Sequence, residues 1–211
     1  MRKFATLLVL AVGFGTLAAS EGRAASVVLP RAGQVGVGVN GSFGTLLESG
    51  SLGTEFGTGP GLGVRLRYRM RYERAIGLTF DVVHLDSRVP GYPSGPFGDP
   101  TPADSLITRD VLNLTTTGID LYQMFGTRTR NVKWLSAGAG IVQATAKLST
   151  GETQYPLESD GAYLSLGGGV ERFIFRSWAL DFSTRYQAVF YGGAVNHNLQ
   201  AAVGLMFYAA Y

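Results

Sequence analysis

The chain has 211 residues, of which 30 are glycine and none is cysteine, and only 16% are charged. The lack of cysteine excludes a disulfide framework and a cysteine metal site, while the glycine content indicates turns and close-packed strands rather than helices.

The first 24 residues have the features of an export signal. Arg2 and Lys3 give a positive start, residues 4–17 form an uncharged apolar run, and Gly22-Arg23-Ala24 supplies small residues for a peptidase. The run is shorter than the roughly 18–20 residues of a transmembrane helix. We predict cleavage after Ala24, with Ala18-Ala19-Ser20 as the alternative, and a mature domain of residues 25–211.

Cleavage changes the charge balance. It removes three basic residues and one acidic residue, so the 18 basic and 15 acidic residues of the full chain become 15 and 14. A nearly neutral mature chain argues against nucleic acid or another strongly polyanionic partner.

The first three predicted strands show apolar residues at every second position. Gln34–Phe43 is the first strand, and a connection rich in Gly and Ser, residues 44–60, follows it. Between Gly61 and Arg71 the alternation is clearest: one face is wholly apolar and the other carries four arginines. Only a strand separates the two sets in this way. A third strand, residues 76–82, leads into the longest connection, residues 86–104, which contains five prolines.

The remaining strands are predicted at residues 109–123, 135–142, 162–171, 180–187 and 199–211, with a long connection at residues 149–160. The fourth is irregular, because Leu112 and Leu114 share one parity while Ile119 and Leu121 share the other. We predict a bulge near Gly118 that reconciles them. Every proline is expected outside the strands, since proline cannot donate to the ladder.

Eight strands in one domain, with long and short connections in alternation, predict a closed antiparallel up-and-down barrel. A soluble lipocalin-type barrel would turn the apolar face inward, whereas a membrane barrel would turn it to lipid. Strand length, the small residues of the polar face and the alternation of connections favour the membrane barrel. Aromatic residues near strand ends fit membrane girdles: Phe43, Tyr68, Tyr72, Tyr208 and Tyr211.

The polar face predicts an interior charge network with a structural role. Its charges have both signs and can pair, because an eight-stranded barrel is just wide enough for side chains to fill it. The predicted members are Arg65, Arg67, Arg69, Asp81, Asp120, Glu171, Asp181 and Arg185.

These features resemble the small OmpA/OmpX-type eight-stranded outer-membrane β-barrel family. The likeness rests on the signal peptide, the eight strands, Gly138-x-Gly140, the segment Gly167–Glu171 and the last strand. In that family the last strand is read by the barrel-assembly machinery, and it ends more often in phenylalanine than in the Tyr211 found here. The implied assembly signal consists of Val203, Leu205, Phe207 and Tyr211.

The resemblance also implies outer-membrane localisation in a Gram-negative-type envelope and contact with outer-membrane lipid and lipopolysaccharide. We expect a monomer, and we expect no peptidoglycan-binding domain after the last strand. The implied function is a structural scaffold that presents surface loops, for envelope integrity or surface interaction. A narrow channel remains an alternative.

Cofactor and enzyme functions have little support in the sequence. Gly36-x-Gly38-x-x-Gly41 matches a dinucleotide fingerprint, but it lies within a strand and no helix follows, so we expect no cofactor. No cluster offers three metal ligands. His84 and His197 test a second alternative, an outer-leaflet lipid-modifying enzyme that resembles the PagL-type lipid A deacylases. No serine lies two residues from either histidine on the face that such chemistry needs. We therefore expect no enzymatic activity and interfacial anchoring by both histidines.

Overall fold

The computed structural model describes residues 32–48, 50–86, 107–150 and 153–209. The expected signal peptide, the proline-rich residues 87–106 and Tyr211 lie outside these ranges. The described residues form one closed barrel in which each strand pairs with its neighbours in sequence and the last pairs with the first. The strands are β1 (Val35–Leu46), β2 (Thr58–Arg71), β3 (Arg74–Asp86), β4 (Ile107–Phe125), β5 (Asn131–Thr150), β6 (Thr153–Phe173), β7 (Trp178–Tyr191) and β8 (Ala194–Tyr208).

The barrel is staggered and its strands are therefore tilted. Gly36 on β1 lies opposite Arg67 on β2, and following the pairs around the barrel returns to β1 at Leu46, ten residues further on. Closure with such a stagger requires strands inclined to the barrel axis by roughly 35–45°. The predicted all-β, eight-stranded barrel is confirmed.

The two ends of the barrel differ. We call the end that carries the β1–β2, β3–β4, β5–β6 and β7–β8 connections the loop end, and the opposite end the turn end. Along β2, residues from Gly59 to Arg69 alternate between buried and exposed, with the arginines inside and the apolar residues outside. Leu62 is 73% exposed and Arg67 is 0% exposed, so the apolar face is the outer face.

The bulge predicted near Gly118 is wrong. Strand β4 pairs in continuous register with β3 and β5 on both sides of Gly118, and its one register shift lies between Arg109 and Val111. Leu112 and Leu114 share the parity of Asp120 and point into the barrel. The apolar pattern changes face because the interior itself becomes apolar towards the loop end.

Strands β4, β5 and β6 are longer than predicted, with 19, 20 and 21 residues. The predicted long connection at residues 149–160 is instead mostly strand, since β5 and β6 pair up to Thr150 and Thr153. The β7–β8 connection is also short, and Gly192 and Gly193 supply the positive φ values of 57° and 77° that a tight hairpin turn needs.

Two prolines lie within strands, contrary to the prediction. Pro60 pairs with Phe43 on β1, and the pairing of β2 with β3 begins only at the next residue. Pro156 pairs with Lys147 on β5, and β6 first pairs with β7 at Ala162. Each proline thus lies where its strand forms a ladder with only one neighbouring strand, which is the edge-type position at which proline is tolerated.

A short helix, α1 (Gly50–Glu55), interrupts the connection predicted as a Gly- and Ser-rich loop. The backbone N–H of Leu52 donates to Oδ1 of Asn196 at 2.8 Å, which ties α1 to β8. Leu52 and Phe56 are buried, so the helix closes the loop end of the barrel.

Candidate functional site

All eight predicted interior charges lie inside the barrel and are almost completely buried. Four are arginines and four are carboxylates, so the set is formally neutral. Removing unpaired charges from water costs several kcal/mol per ion, which makes this balance a condition for burial.

The larger group lies towards the turn end. Arg65 forms an ion pair of 3.3 Å with Asp181, and Arg69 forms one of 3.1 Å with Glu171. Arg67 lies between them and contacts Glu171, with Asp181 at 3.8 Å. Three cations on β2 are therefore held by two carboxylates on β6 and β7.

Aromatic side chains complete this group. The Tyr208 hydroxyl donates to Glu171 at 2.8 Å, and Nε1 of Trp134 donates to Asp181 at 3.2 Å. The guanidinium of Arg67 lies 4.2 Å from the ring centre of Tyr122, and that of Arg69 lies 5.0 Å from the ring centre of Tyr208. Such cation–π contacts stabilise a desolvated guanidinium by up to about 2 kcal/mol.

Glycines make room for these rings. A Cβ added at Gly36 would lie 2.6 Å from the Tyr208 ring, one at Gly169 would lie 2.7 Å from the Trp134 ring, and one at Gly77 would lie 2.9 Å from the Tyr122 ring. All three distances are shorter than a normal carbon–carbon contact. At these three positions, glycine leaves the space that aromatic rings from other strands occupy.

The smaller group surrounds Arg185 on β7. Its guanidinium contacts Asp120 on β4 at 2.6 Å and Asp81 on β3 at 3.4 Å. Tyr122 and Ser165 donate further hydrogen bonds to Asp120, at 3.3 and 3.2 Å. One cation and two carboxylates give this group a formal excess of one negative charge, which offsets the extra arginine of the larger group.

Uncharged polar residues lie between the charges and the loop end. Asn198 donates to Gln187 at 2.8 Å, and Gln200 donates to Ser42 at 2.9 Å. Nearer to the loop end, Asn196 accepts from the backbone of α1. Amide side chains can bond in this way without the desolvation cost of a charge.

Apolar clusters close the interior at both ends. The loop-end plug consists of Leu46, Leu52, Phe56, Val83, Leu85, Leu112, Leu114, Val142, Ala144, Tyr163 and Val189. The turn-end plug consists of Ala75, Tyr122, Met124, Val132, Trp134, Phe173, Ala179, Met206 and Tyr208. The polar interior is therefore enclosed between two apolar layers.

The sequence matches no family model and is not significantly similar to any curated protein. Solved structures do resemble it. The N-terminal β-barrel domain of Pseudomonas aeruginosa OprF aligns with a TM-score of 0.51 and 13% identity over 85% of this chain and 100% of that chain. OprG of the same species aligns with a TM-score of 0.54 and 10% identity over 88% and 100%. Ail of Yersinia pestis gives 0.53 and 13% over 83% and 99%.

The chain has the fold of the small eight-stranded outer-membrane β-barrels. The fold that the sequence resemblance implied is confirmed. At these identities the likeness extends to the fold alone, so the activities of the neighbours remain theirs.

The histidines of this outer-membrane-type barrel lie on its outer face near the loop end. A ring nitrogen of His84 contacts Oδ1 of Asn113, and the Tyr186 hydroxyl contacts His197, whose ring stacks on the tyrosine at 5.7 Å between centres. Neither contact is with a serine or a carboxylate. Ser87, the serine closest to His84 in sequence, lies outside the described residues.

The predicted assembly residues are only partly described. Val203 and Phe207 are exposed on the outer face, and Leu205 is half-buried there. The assignment of Tyr208 to a membrane girdle is wrong, because this residue has the opposite parity and is buried against Glu171. The role of these residues in assembly stays a prediction.

The predicted charge network lacks its aromatic partners. Tyr122 lies two residues from Asp120, so its parity alone would have placed it in the interior, and Trp134 likewise shares the parity of Ser136. The described ranges contain no helix with the length and apolar character of a membrane span. Nor do His, Asp and Glu side chains gather there in a group of three suited to a metal ion.

Proposed function

We propose that this protein is an integral outer-membrane barrel that acts as a rigid scaffold for its loop-end surface. The observation that carries the proposal is the combination of an apolar outer face with an interior filled by paired charges between two plugs. The outer face suits lipid, and the sealed interior suits a frame rather than a pore. The outer-membrane origin of the structural neighbours supports the localisation.

The sealed interior argues against the channel alternative. An ion crossing the barrel would meet the loop-end plug, which includes the fully buried Leu46 and Leu85. It would next meet carboxylates and guanidiniums already paired with each other, and then the turn-end plug. Opening such a path requires disruption of the packed core, which is close-packed at the density of an organic crystal.

A projecting sheet supports surface interaction as the specific function. Strands β4, β5 and β6 extend past the rest of the barrel at the loop end. The pairing of β3 with β4 stops at Asp86 and Val111, and β6 pairs with β7 only from Ala162 onward, so beyond these points the three strands pair only with each other among the described residues. A rigid projection that carries connections is a usual site of recognition.

The charge of the loop end indicates the kind of surface partner. Residues 47–57, 86–110 and 147–160 contain nine acidic and three basic residues. We therefore infer a partner with a basic surface. The Ail barrel has been solved in complex with the heparin analogue sucrose octasulfate; the acidic loop end argues against a polyanionic ligand of that kind here.

Reconstitution in lipid vesicles tests the proposal. The scaffold predicts no ion conductance above that of protein-free bilayers and no change in the lipids after prolonged incubation. It also predicts binding of polylysine, but not of heparin, to vesicles in which the loop end of the protein faces outward. Conductance would support the channel instead, and lipid hydrolysis that is lost in His84→Ala or His197→Ala would support the enzyme.

A further inference from the structure

The turn end of the barrel carries an arc of exposed basic residues, which we call the basic collar. It consists of Arg71, Arg74, Arg128, Arg130, Lys133, Arg172 and Arg176, all of them exposed. They lie at the ends of β2 to β6 and in the connections at this end. The same segments, residues 71–74, 125–133 and 172–178, contain a single acidic residue, Glu73.

Residues 25–211 contain eleven basic residues outside the interior network, and seven of these belong to the collar. The interior charges are balanced, and the loop-end segments are predominantly acidic. A nearly neutral net charge therefore conceals a strong separation of charge along the barrel axis. Seven like charges along the part of the rim from β2 to the β6–β7 turn repel each other, so their arrangement favours a partner that supplies negative charge along that part of the rim.

Three collar residues point outward, away from the barrel axis. Each of the three lies an even number of residues from an exposed leucine on its own strand, so both side chains share the outer face, and each is nearer to the turn end than that leucine. The pairs are Arg74 with Leu78, Lys133 with Leu135, and Arg172 with Leu166. Their side chains thus leave the barrel at the edge of its apolar belt. Long basic side chains at such an edge extend their methylene groups along apolar surface and their charge towards the interface.

Exposed aromatic residues lie beside the collar. Phe125 pairs with Lys133, and Trp178 contacts Phe207 with ring centres 5.0 Å apart. Phe175, in the β6–β7 turn next to Arg176, is 67% exposed. Aromatic residues next to basic ones are typical of the level at which lipid headgroups meet hydrocarbon. A purely aqueous partner would leave Phe125 and Phe175 exposed to water.

We propose that the basic collar binds the phosphates of anionic phospholipids in the leaflet that adjoins the turn end. Arg74, Lys133 and Arg172 meet headgroups directly, while the turn residues Arg128, Arg130 and Arg176 approach the leaflet surface. The collar thereby selects a shell of anionic lipid and fixes the depth of the barrel. This inference rests on the proposed membrane insertion and specifies which lipid the inserted protein prefers.

Trp178 provides a local probe of the bound lipid. The chain has two tryptophans; Trp134 is 2% exposed inside the barrel, whereas Trp178 is 40% exposed on the outer face beside the collar. We would reconstitute the protein in phosphatidylcholine vesicles with increasing amounts of phosphatidylglycerol brominated near the headgroup end of its acyl chains. Quenching by brominated phosphatidylcholine in a parallel series gives the reference, and the ratio of the two association constants measures the preference.

We expect phosphatidylglycerol to be preferred by at least about fivefold, which corresponds to one basic contact worth about 1 kcal/mol. The preference for phosphatidylglycerol should decline at about 1 M salt, because charges more than roughly 3 Å apart are then largely screened from each other. In the triple variant Arg74→Gln, Lys133→Gln and Arg172→Gln, the preference for phosphatidylglycerol should fall towards one, because only the other collar arginines remain. The matched control Arg74→Lys, Lys133→Arg and Arg172→Lys keeps the charges and should keep the preference.

The experiment separates three kinds of failure. Equal quenching by both lipids in the wild-type protein would overturn the lipid preference and leave the membrane barrel intact. A preference that survives in the triple Gln variant would overturn the assignment to these residues. Absence of quenching by either lipid would overturn membrane insertion, and the collar proposal with it. If the triple variant fails to insert, Arg172→Gln, the substitution on the strand next to Trp178, should still lower the preference.

Discussion

Arg185 on β7 donates a hydrogen bond of 2.6 Å to Asp120 on β4, across the interior of the barrel. The same guanidinium lies 3.4 Å from Asp81 on β3. One cation thus holds two buried carboxylates from neighbouring strands, so the three residues depend on each other for burial.

Arg185→Met should strongly destabilise the barrel. It leaves Asp81 and Asp120 buried without a cation, and breaking a buried pair in this way costs about 3–5 kcal/mol. Equilibrium unfolding by urea in phosphatidylcholine vesicles measures the loss. Arg128→Met, at an exposed turn position, is the matched control and should change the free energy of unfolding by no more than about 0.5 kcal/mol. Equal stability of the two variants would contradict a structural role for the network.

Neighbouring residues on β2 distinguish a lipid-facing outer surface from a water-facing one. Leu66→Arg places a charge on the lipid-facing surface and should cost about 2–4 kcal/mol. Arg67→Ala leaves Glu171 paired with Arg69, but it empties a fully buried site against the Tyr122 ring and should cost about 2–5 kcal/mol, as large-to-small core substitutions do. Urea unfolding of both variants provides the measurement. A neutral Arg67→Ala in a protein that stays soluble without detergent would refute the membrane assignment.

Asn196→Ala should loosen the helix that closes the loop end. The side chain accepts hydrogen bonds from Leu52 and Gly53 at 2.8 and 3.4 Å. Leaving the buried donors unsatisfied costs about 1–3 kcal/mol. Hydrogen exchange of residues 50–56 should accelerate while exchange in the β-strands stays slow. Asn113→Ala, on the outer face, should leave helix exchange unchanged; acceleration in both variants would argue against a specific tie.

Deletion of residues 205–211 should abolish membrane insertion. Strand β8 pairs with both β1 and β7, and its loss would leave unpaired backbone groups in lipid at several kcal/mol each. Outer-membrane levels of the deleted protein in cell fractions measure the effect. Tyr211→Phe, which supplies the residue more common in the resembled family, should insert normally. Normal levels of the deletion variant would refute the closed barrel.

Protease accessibility should distinguish the two ends of the barrel. We expect cleavage within residues 90–102 on intact cells, and cleavage within residues 126–131 only after the envelope is opened. Introduced cleavage sites of identical sequence in the two segments control for protease preference. The reverse pattern would show that the loop end faces the periplasm.

Most of the fold could be predicted because apolar and polar residues alternate along the sequence with a period of two. The pattern of Leu62 to Arg69 assigns every second side chain of β2 to the same face, and the structure has the same assignment. Eight such segments predict a barrel. The pattern identifies two faces, and the sign and number of the charges then indicate which one is inside.

The prediction fails where apolar residues no longer consistently face outward and polar residues no longer consistently face inward, which happens towards the loop end of the barrel. The bulge predicted near Gly118 would bring Leu112 and Leu114 to the same face as Ile119 and Leu121, but the two leucines belong to the loop-end plug. The helix α1 has no strong helical pattern of its own; its cap, Asn196, is 144 residues from Leu52 in sequence. Two residues so far apart in sequence meet only because the barrel closes, so the sequence around the helix contains no pattern that predicts their hydrogen bond.

The ion pairs of β2 also bear on how the protein is assembled. Arg69 and Glu171 are 102 residues apart in sequence, and Arg65 and Asp181 are 116 apart. A sheet that contained only the first strands would therefore carry three arginines whose counter-ions had not yet arrived. Such an intermediate is costly in hydrocarbon, so stepwise insertion of single strands is disfavoured. We expect the barrel to enter the membrane in one cooperative event, with neutralisation of the arginines coupled to the arrival of β6 and β7.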